Sequence, residues 1–302
     1  MTVVNMPSEL SKIELIAVIV AVTGGHPKVI TIGADQKLPS SPLEFKQQSL
    51  QSSLHNWIYS KTEHPVGFLE QLYTFADSNR LSTDGDTHTV SISYLGLVRE
   101  YDGFLPKIEW HNWYEYFPWD DCRTNRHPCV DEIIAALNEW AEKDQLNKAS
   151  KKRRIAFLFG CDGFKWNEDF ILQRYEILYE AGLIAEAGGS LFAGTPMFSD
   201  HRRILATAIA RLRRKIKYRA VVFELLPEKF TLLQLQQTVE AIIGRRLHKP
   251  NFRRLVEQQG IIEETGDREI KTGGRPAKLF RYRQEIIESC IVSLSRFPIV
   301  RT

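Results

Sequence analysis

Cationic and amide side chains concentrate in the last hundred residues, in a pattern suited to binding a polyanion. Residues 200–302 carry 22 Lys and Arg against 11 Asp and Glu, whereas residues 1–199 carry 18 against 26. The two parts therefore differ in net charge, +11 against −8, although the whole chain is only +3. Such asymmetry predicts a basic module for a polyanion, joined to an acidic module with another task. The simpler alternative is an evenly solvated protein with a charged tail.

Two short helices separated by a tight turn are predicted within the basic part. Thr231 and Gln234 have the spacing of a capping box at the start of the first helix, and Gly244 ends it. The second helix contains Pro250 in its first turn and closes at Gly260. Its outward face presents amides and guanidinium groups, which bond base edges in pairs and hold phosphates, so we expect it to enter the major groove of double-stranded DNA. The candidate contacts on this helix are Lys249, Asn251, Arg253, Arg254 and Gln258.

A basic β-hairpin with the glycine-rich tip "IKTGGRPAKLF" is predicted after the helix pair, because apolar residues alternate on both sides of the tip. Two helices followed by such a hairpin form a winged helix. Arg275, held by the following Pro276, is expected to enter a narrow A·T-rich minor groove. The alternative is a winged helix used for protein contacts, and the surplus of positive charge favours DNA. The candidate contacts of the wing are Lys271, Gly273, Gly274, Arg275, Lys278 and Arg281.

A longer basic helix is predicted before this module, in "SDHRRILATAIARLRRKIKY". Its apolar residues have helical spacing, and cations crowd its remaining faces. A solvated helix face usually mixes both signs of charge, and this one does not. Length and position therefore predict a connecting or dimerising helix. Its cations are Arg202, Arg203, Arg211, Arg213, Arg214, Lys215 and Lys217.

The first two thirds of the chain read as mixed α/β. Strands are predicted in "KIELIAVIVAV", "KVITIGA", "HTVSISYLGLV" and "RRIAFLFG", and helices in "DEIIAALNEWAEKD" and "NEDFILQRYEILYEAGLIAEA". The loop "TGGHPK" has neither P-loop nor dinucleotide-binding spacing, so we interpret it as a turn between two strands. The aromatic run "IEWHNWYEYFPWDD" predicts a core or a domain seam.

Several classes of protein are not favoured by the sequence. The apolar run from Ile13 to Val22 is about half the length that spans a bilayer, and no secretory signal opens the chain. Four cysteines without a CxxC pair predict reduced thiols and a cytoplasmic protein. The intervals between His111, Cys122, His127 and Cys129 match no familiar zinc site, so no metal is expected.

Five segments together resemble the Nudix-related transcriptional regulators of NAD biosynthesis, of the NrtR/NadQ-like type. They are "LPSS", "FLEQLYTFAD", "SDHRRILATAIARLRRKIKYRAVVFELLPEKFTLLQLQQ", "NFRRLVEQQGIIEETG" and "GGRPAKLFRY". The resemblance implies a Nudix-like α/β/α sandwich at 1–198, with an extra helical segment at about 130–198. A connecting or dimerisation helix at 199–219 and a winged helix-turn-helix domain at 220–302 would follow.

The same resemblance implies a homodimeric repressor of NAD synthesis or salvage genes. Its effector would be an adenine nucleotide such as NAD, ADP-ribose or ATP, with no further cofactor. The candidate effector contacts are Tyr73, Phe75, Arg80 and Arg99, and the candidate couplers of ligand to DNA binding are Asp200, His201 and Arg202.

A functioning Nudix hydrolase needs the pattern G-x5-E-x7-R-E-U-x-E-E-x-G-U, whose carboxylates hold divalent ions. Here Asn56 and Trp57 replace the Arg-Glu pair, and Ser60 and Lys61 replace the two glutamates. We therefore expect that the helix of the Nudix box forms without its metal-binding carboxylates, and that the protein is not an enzyme. The alternatives are a Nudix-type hydrolase of a nucleoside diphosphate derivative with secondary DNA binding, and a non-enzymatic scaffold. In the same alignment Pro42 and Gln48 stand where the motif has its first Gly and its first Glu. Glu44 and Glu63 are the nearby acidic residues, and neither falls on a metal-binding position of the motif.

Overall fold

The computed structural model of the chain describes residues 12–42, 50–62, 66–76, 89–99, 109–269 and 276–283. Its strands are β1 (Lys12–Thr23), β2 (His26–Thr31), β3 (Ser40–Pro42), β4 (Phe68–Phe75), β5 (Thr89–Leu97), β6 (Glu109–Asn112), β7 (Ile262–Glu269) and β8 (Ala277–Tyr282). Its α-helices are α1 (Leu50–Thr62), α2 (Trp113–Tyr116), α3 (Cys129–Glu142), α4 (Lys148–Phe159), α5 (Ile171–Glu180), α6 (His201–Lys215), α7 (Leu232–Ile243) and α8 (Lys249–Gln259). Short 3₁₀ segments occupy Pro118–Asp120, Glu168–Phe170, Ala185–Ala187 and Ala220–Leu225.

A mixed sheet in the order β4-β5-β1-β2-β6 forms the first part of the chain, with β3 added against β1. The pair β1 and β5 is parallel, and the other neighbours are antiparallel. Alternate residues of β1 face opposite sides. Ile16 and Val18 lie in the cluster that includes α6, whereas Ala17 and Ile19 pack with Leu54 of α1. This three-layer arrangement confirms the predicted Nudix-like α/β fold.

The loop between β1 and β2 is a tight turn, as predicted. Gly24 and Gly25 both have positive φ, 57° and 78°. Two such residues are typical of the hairpin turn whose twist matches the strands on either side. The glycines therefore serve the hairpin, and no phosphate loop is formed here.

The segment "RRIAFLFG" is helical, so its prediction as a strand was wrong. It forms the second half of α4, which packs against α3 and α5. Ile155, Ala156, Leu158 and Phe159 are buried, a spacing that places them on one helix face. Short apolar runs do not distinguish a buried strand from a buried helix, and packing decided the matter here. Gly160, at φ 67°, ends the helix.

The aromatic run between β6 and α3 forms core, as predicted. Trp113, Tyr116, Phe117 and Trp119 are almost completely buried. They belong to one hydrophobic cluster that also includes residues of the sheet, α3, α5, α6 and α7. Among the described residues, no helix has both the length and the apolar character needed to cross a membrane.

Helix α6 lies inside the protein, and three of its cations are not on its surface. Arg202, Arg213 and Lys215 are buried, in contrast to the expectation of an outward ring of positive charge. Each has an acidic partner in the same chain: Glu186 for Arg202, Asp120 for Arg213 and Glu70 for Lys215. Because sequence does not reveal which acidic residues of other segments will pack against the helix, these cations were expected on its outer faces. A dimerising role of this helix stays a prediction.

A buried carboxylate, Asp120, holds two of the buried arginines. Its Oδ1 lies 3.1 Å from Arg174 Nη1 and its Oδ2 lies 2.5 Å from Arg213 Nη1, and none of the three side chains is exposed. Arg213 also donates to the carbonyls of Ile242 and Glu168, at 2.7 and 2.6 Å. The network thereby connects α5, α6 and the end of α7.

Replacing Asp120 tests this network. Asp120→Asn keeps the volume of the side chain but leaves two buried guanidinium groups without a counter-charge. We expect the free energy of unfolding to fall by about 3–5 kcal/mol, as for other broken buried pairs. Chemical denaturation measures it.

Asp267→Asn is the matched control, since Asp267 makes an exposed ion pair with Lys229. Such pairs contribute little, and the denaturation midpoint should stay almost unchanged. Equal losses in the two variants would contradict the role given to Asp120.

Candidate nucleic-acid interface

Helix α7 begins and ends where the sequence predicts. Thr231 Oγ1 accepts from the Gln234 N–H at 3.1 Å, and Gln234 Oε1 accepts from the Thr231 N–H at 2.7 Å, which completes the capping box. At the other end Gly244 has φ 72°, and a Cβ there would lie 2.7 Å from the Asp120 carbonyl oxygen. Both the backbone conformation and the lack of space therefore require glycine.

The turn between α7 and α8 is held by Glu240, which the sequence analysis missed. Its Oε1 accepts from the Leu247 N–H and from Gln236 Nε2, both at 2.9 Å, and its Oε2 pairs with Arg246 at 2.8 Å. Burial favours the neutral acid, but these donors hold the pKa of Glu240 below its usual range. The i, i+4 spacing of Gln236 and Glu240 was the available signal in the sequence.

Helix α8 buries Phe252 and Val256 against the rest of the domain. Its opposite face is exposed and includes all the residues that the sequence singled out on this helix. Within the described part of the chain, no acidic side chain pairs with Lys249, Arg253 or Arg254. These cations are therefore available to an anionic partner. The exposed set is Lys249, Asn251, Arg253, Arg254 and Gln258.

The hairpin of β7 and β8 forms the predicted wing. A third segment joins it, since the backbones of Phe230 and Phe280 exchange two hydrogen bonds of 2.9 and 2.8 Å. Tyr282 stacks on Phe223, with ring centroids 4.3 Å apart. These contacts attach the base of the wing to the core of the domain. The predicted contacts at the tip, Lys271, Gly273, Gly274 and Arg275, lie outside the described residues.

Two predicted phosphate contacts on β8 have acidic partners on β7. Lys278 Nζ lies 2.8 Å from Glu264, and Arg281 Nε lies 2.5 Å from Glu263. Both pairs are exposed, so each contributes little and is readily exchanged for another anion. The positive charge of the wing is nevertheless smaller than a count of cations indicates.

The structure separates the candidate effector residues. Tyr73 is exposed, whereas Phe75 lies in the core beneath the guanidinium of Arg203, 5.3 Å from its ring. Tyr73 is paired with Ser93 in the middle of β5, and Arg99 lies six residues further along the chain, beyond the end of this strand, about 20 Å away along extended backbone. One compact ligand group therefore does not contact Tyr73 and Arg99 together, and Phe75 is a core residue in this structure. Arg80 lies outside the described residues.

The candidate couplers Asp200, His201 and Arg202 lie where α6 meets the rest of the protein. His201 Nδ1 accepts from the Leu38 N–H of the β2–β3 loop at 2.8 Å. Arg202 Nη1 donates to the carbonyls of Gly194 and Thr195, each at 3.2 Å. Asp200 precedes the helix and pairs with Arg203 at 3.2 Å. The three residues thus connect α6 to the sheet on one side and to the helical segment on the other.

Helix α1 occupies the place of the degenerate Nudix box. It exposes Asn56 and Ser60 and buries Leu54 and Ile58. Among the described residues, no three His, Cys, Asp or Glu side chains lie close enough together to hold a metal ion. The structure does not describe Gln48, Glu44, Glu63 or the side chain of Lys61.

The buried ring of His201 predicts a pH dependence of stability. Burial, aided by nearby Lys37, lowers the pKa of His201 to about 4 from the usual 6.5. Between these values the unfolded chain binds more protons than the folded one, so stability should fall as the pH is lowered through that window. We expect a loss of about 3 kcal/mol, measured by denaturation at successive pH values.

His201→Gln should flatten this part of the profile, because an amide does not titrate there. His248→Gln is the matched control, since it makes the same exchange at an exposed histidine. A slope that persists in His201→Gln would show that another group carries it.

Comparisons with known proteins support both the α/β fold of the first part of the chain and the winged helix of the last part. Residues 222–282 match the family described as the NrtR DNA-binding winged helix domain. The ADPR responsive transcriptional repressor NtrR of Acinetobacter baylyi is 43% identical over 83 residues, which are 28% of this chain. The chain spans only 33% of the length of that relative.

Two solved structures share the fold over most of the chain. Shewanella oneidensis NrtR complexed with a 27mer DNA has a TM-score of 0.53 at 20% identity, over 94% of this chain and 97% of that one. A MutT/nudix family protein from Enterococcus faecalis has a TM-score of 0.55 at 16% identity, over 92% and 90%. The chain therefore shares a Nudix-like α/β fold and a winged helix with these two structures, and its residues 222–282 match the NrtR winged helix family.

Proposed function

We propose that this protein is a transcriptional repressor that binds operator DNA upstream of NAD biosynthesis genes and responds to an adenine nucleotide. In this proposal residues 1–198 sense the nucleotide, residues 199–219 connect and dimerise, and residues 220–302 bind DNA. The protein would act as a homodimer in the cytoplasm.

The exposed face of α8 is the observation that carries the proposal. Asn251, Arg253, Arg254 and Gln258 stand free of the core in a domain that matches a DNA-binding family. Arginine and amide side chains make the bidentate contacts by which the major groove is read. A winged helix used for protein contacts does not need this set, so the scaffold alternative is less favoured.

ADP-ribose is the preferred effector, because the Acinetobacter relative is described as ADPR responsive. NAD and ATP are the competing candidates. Tyr73 offers an exposed ring for an adenine, and its ring lies 5.3 Å from that of Phe75, which in turn contacts Arg203 of α6. A ligand that moves Tyr73 would therefore act on the helix that leads to the winged helix, through Phe75 and the couplers Asp200, His201 and Arg202.

Loss of hydrolysis follows from the residues of α1. Nudix chemistry requires metal-binding carboxylates, and Trp57, Ser60 and Lys61 supply none at the positions where the motif demands glutamate. The Nudix-hydrolase alternative predicts magnesium-dependent cleavage of ADP-ribose by the purified protein.

A fluorescence anisotropy titration tests the proposal. Labelled DNA from upstream of the host's NAD synthesis genes is compared with a scrambled duplex at near-physiological salt, with and without ADP-ribose, NAD and ATP. We expect tight binding to the first duplex, shifted by one nucleotide only, since an effector must bind the two states differently. Equal weak binding to both duplexes, without response to a nucleotide, would contradict the proposal.

Arg254→Ala tests the readout by α8. If Arg254 bonds a guanine, the variant should lose about 1–3 kcal/mol of discrimination at that base pair. Competition titrations against operators with single base changes measure it. Arg153→Ala on α4 is the control, because Arg153 is also exposed and lies on a helix that packs against α3 and α5. Equal losses on operator and random DNA would remove the assignment of Arg254.

A further inference from the structure

The loop of residues 121–128 lies outside the winged helix domain but is attached to its helix-turn-helix. The Cys122 N–H donates to the Gly244 carbonyl at 2.7 Å, and Arg246 Nε donates to the Arg123 carbonyl at 3.3 Å. Both partners belong to the turn that leads from α7 into α8. The loop therefore keeps its position relative to this turn when the winged helix binds a partner.

The loop is held rigidly by a third set of contacts. Arg123 binds Asp121 through two nitrogens, each at 2.8 Å, and its Nη1 donates to the Gly25 carbonyl of the β1–β2 turn. Asp121 and Arg123 thus neutralise each other, and the backbone between the sheet and the helix-turn-helix is fixed. A fixed loop loses little conformational entropy when it binds a partner.

Beyond Arg123 the loop exposes three consecutive side chains that suit a phosphate backbone: Thr124, Asn125 and Arg126. A hydroxyl, an amide and a guanidinium group are among the groups that commonly contact phosphate oxygens. Arg126 pairs with Asp131 at 3.6 Å, and the side chain of Asp131 is mostly exposed. This pair is weak and is readily exchanged for a phosphate.

The position of DNA follows from the helix-turn-helix. In such domains the N-terminal residues of the second helix contact base edges, so the preceding turn lies beside the DNA backbone. Gly244 and Lys249 are five residues apart, which limits their separation to about 18 Å at full extension. The loop, bonded to Gly244 and Arg246, therefore lies close to the start of α8, on the side of the domain from which the DNA backbone can be reached.

We propose that residues 124–126 form an additional DNA contact, which binds backbone phosphates beside the groove occupied by α8. This inference rests on the proposed DNA-binding function and extends it to a segment outside the winged helix. Because phosphates carry no base identity, the contact adds affinity on every sequence and leaves base preference unchanged.

Arg126→Ala tests the contact in the full-length protein. We expect affinity to fall about fivefold on operator and scrambled duplexes alike. The slope of log K against log salt should become less steep by about 1, since one phosphate contact is lost. Arg126→Lys should restore most of the slope, because it returns the charge.

Arg153→Ala is again the matched control and should leave affinity and salt slope as in the unmodified protein. Thermal unfolding of each variant verifies that the fold is intact. Unchanged affinity and slope in Arg126→Ala, while Arg254→Ala loses base discrimination, would overturn the inference and leave the DNA-binding function standing. If the unmodified protein binds neither duplex, both the inference and the proposed function fail.

Discussion

The ion pairs of Asp120 with Arg174 and Arg213 are the interaction on which the arrangement of this protein depends. A carboxylate between two guanidinium groups, all three without solvent contact, is stable only if each polar atom has a partner. The carbonyls of Leu158, Asn167, Glu168 and Ile242 supply those partners, and they come from three different segments. Displacement of any of them leaves a buried charge unsatisfied.

This constraint ties the helical segment between the sheet and α6 to the winged helix. Asp120 lies next to Gly244, and Tyr114 donates to the Ala241 carbonyl at 2.8 Å, so the aromatic core supports the end of α7 directly. One hydrophobic cluster includes Val18 of the sheet, Leu205 of α6 and Val256 of α8. Closely packed interiors transmit displacement. A change at the sheet therefore need not pass through a flexible linker to reach α8.

Three contacts connect the sheet to the elements that hold the helix-turn-helix. Leu38 binds His201 at the start of α6, Glu70 pairs with Lys215 at its end, and the Gly25 carbonyl accepts from Arg123. Both ends of α6 are thus attached to the sheet, which restricts its motion to small shifts or rotations. In the proposed homodimer, shifts of this size would alter the spacing of the two α8 helices, and the proposed effector would by this route change affinity for an operator of fixed geometry.

Local chemistry in the sequence was sufficient to predict the two helices of the winged helix domain. The capping box of Thr231 and Gln234, the terminating Gly244 and the amphipathic pattern of α8 act within a few residues, so each could be predicted without a fold. The Gly24–Gly25 turn and the principal strands were predictable for the same reason. Tertiary structure alone decided that "RRIAFLFG" is a helix, because its short apolar run suits either element. It alone showed that Arg202, Arg213 and Lys215 are buried beside acidic residues of other segments, and that Tyr73 packs at the middle of β5 whereas Arg99 lies beyond its end. These outcomes depend on partners brought together by folding, and a linear pattern contains no record of them.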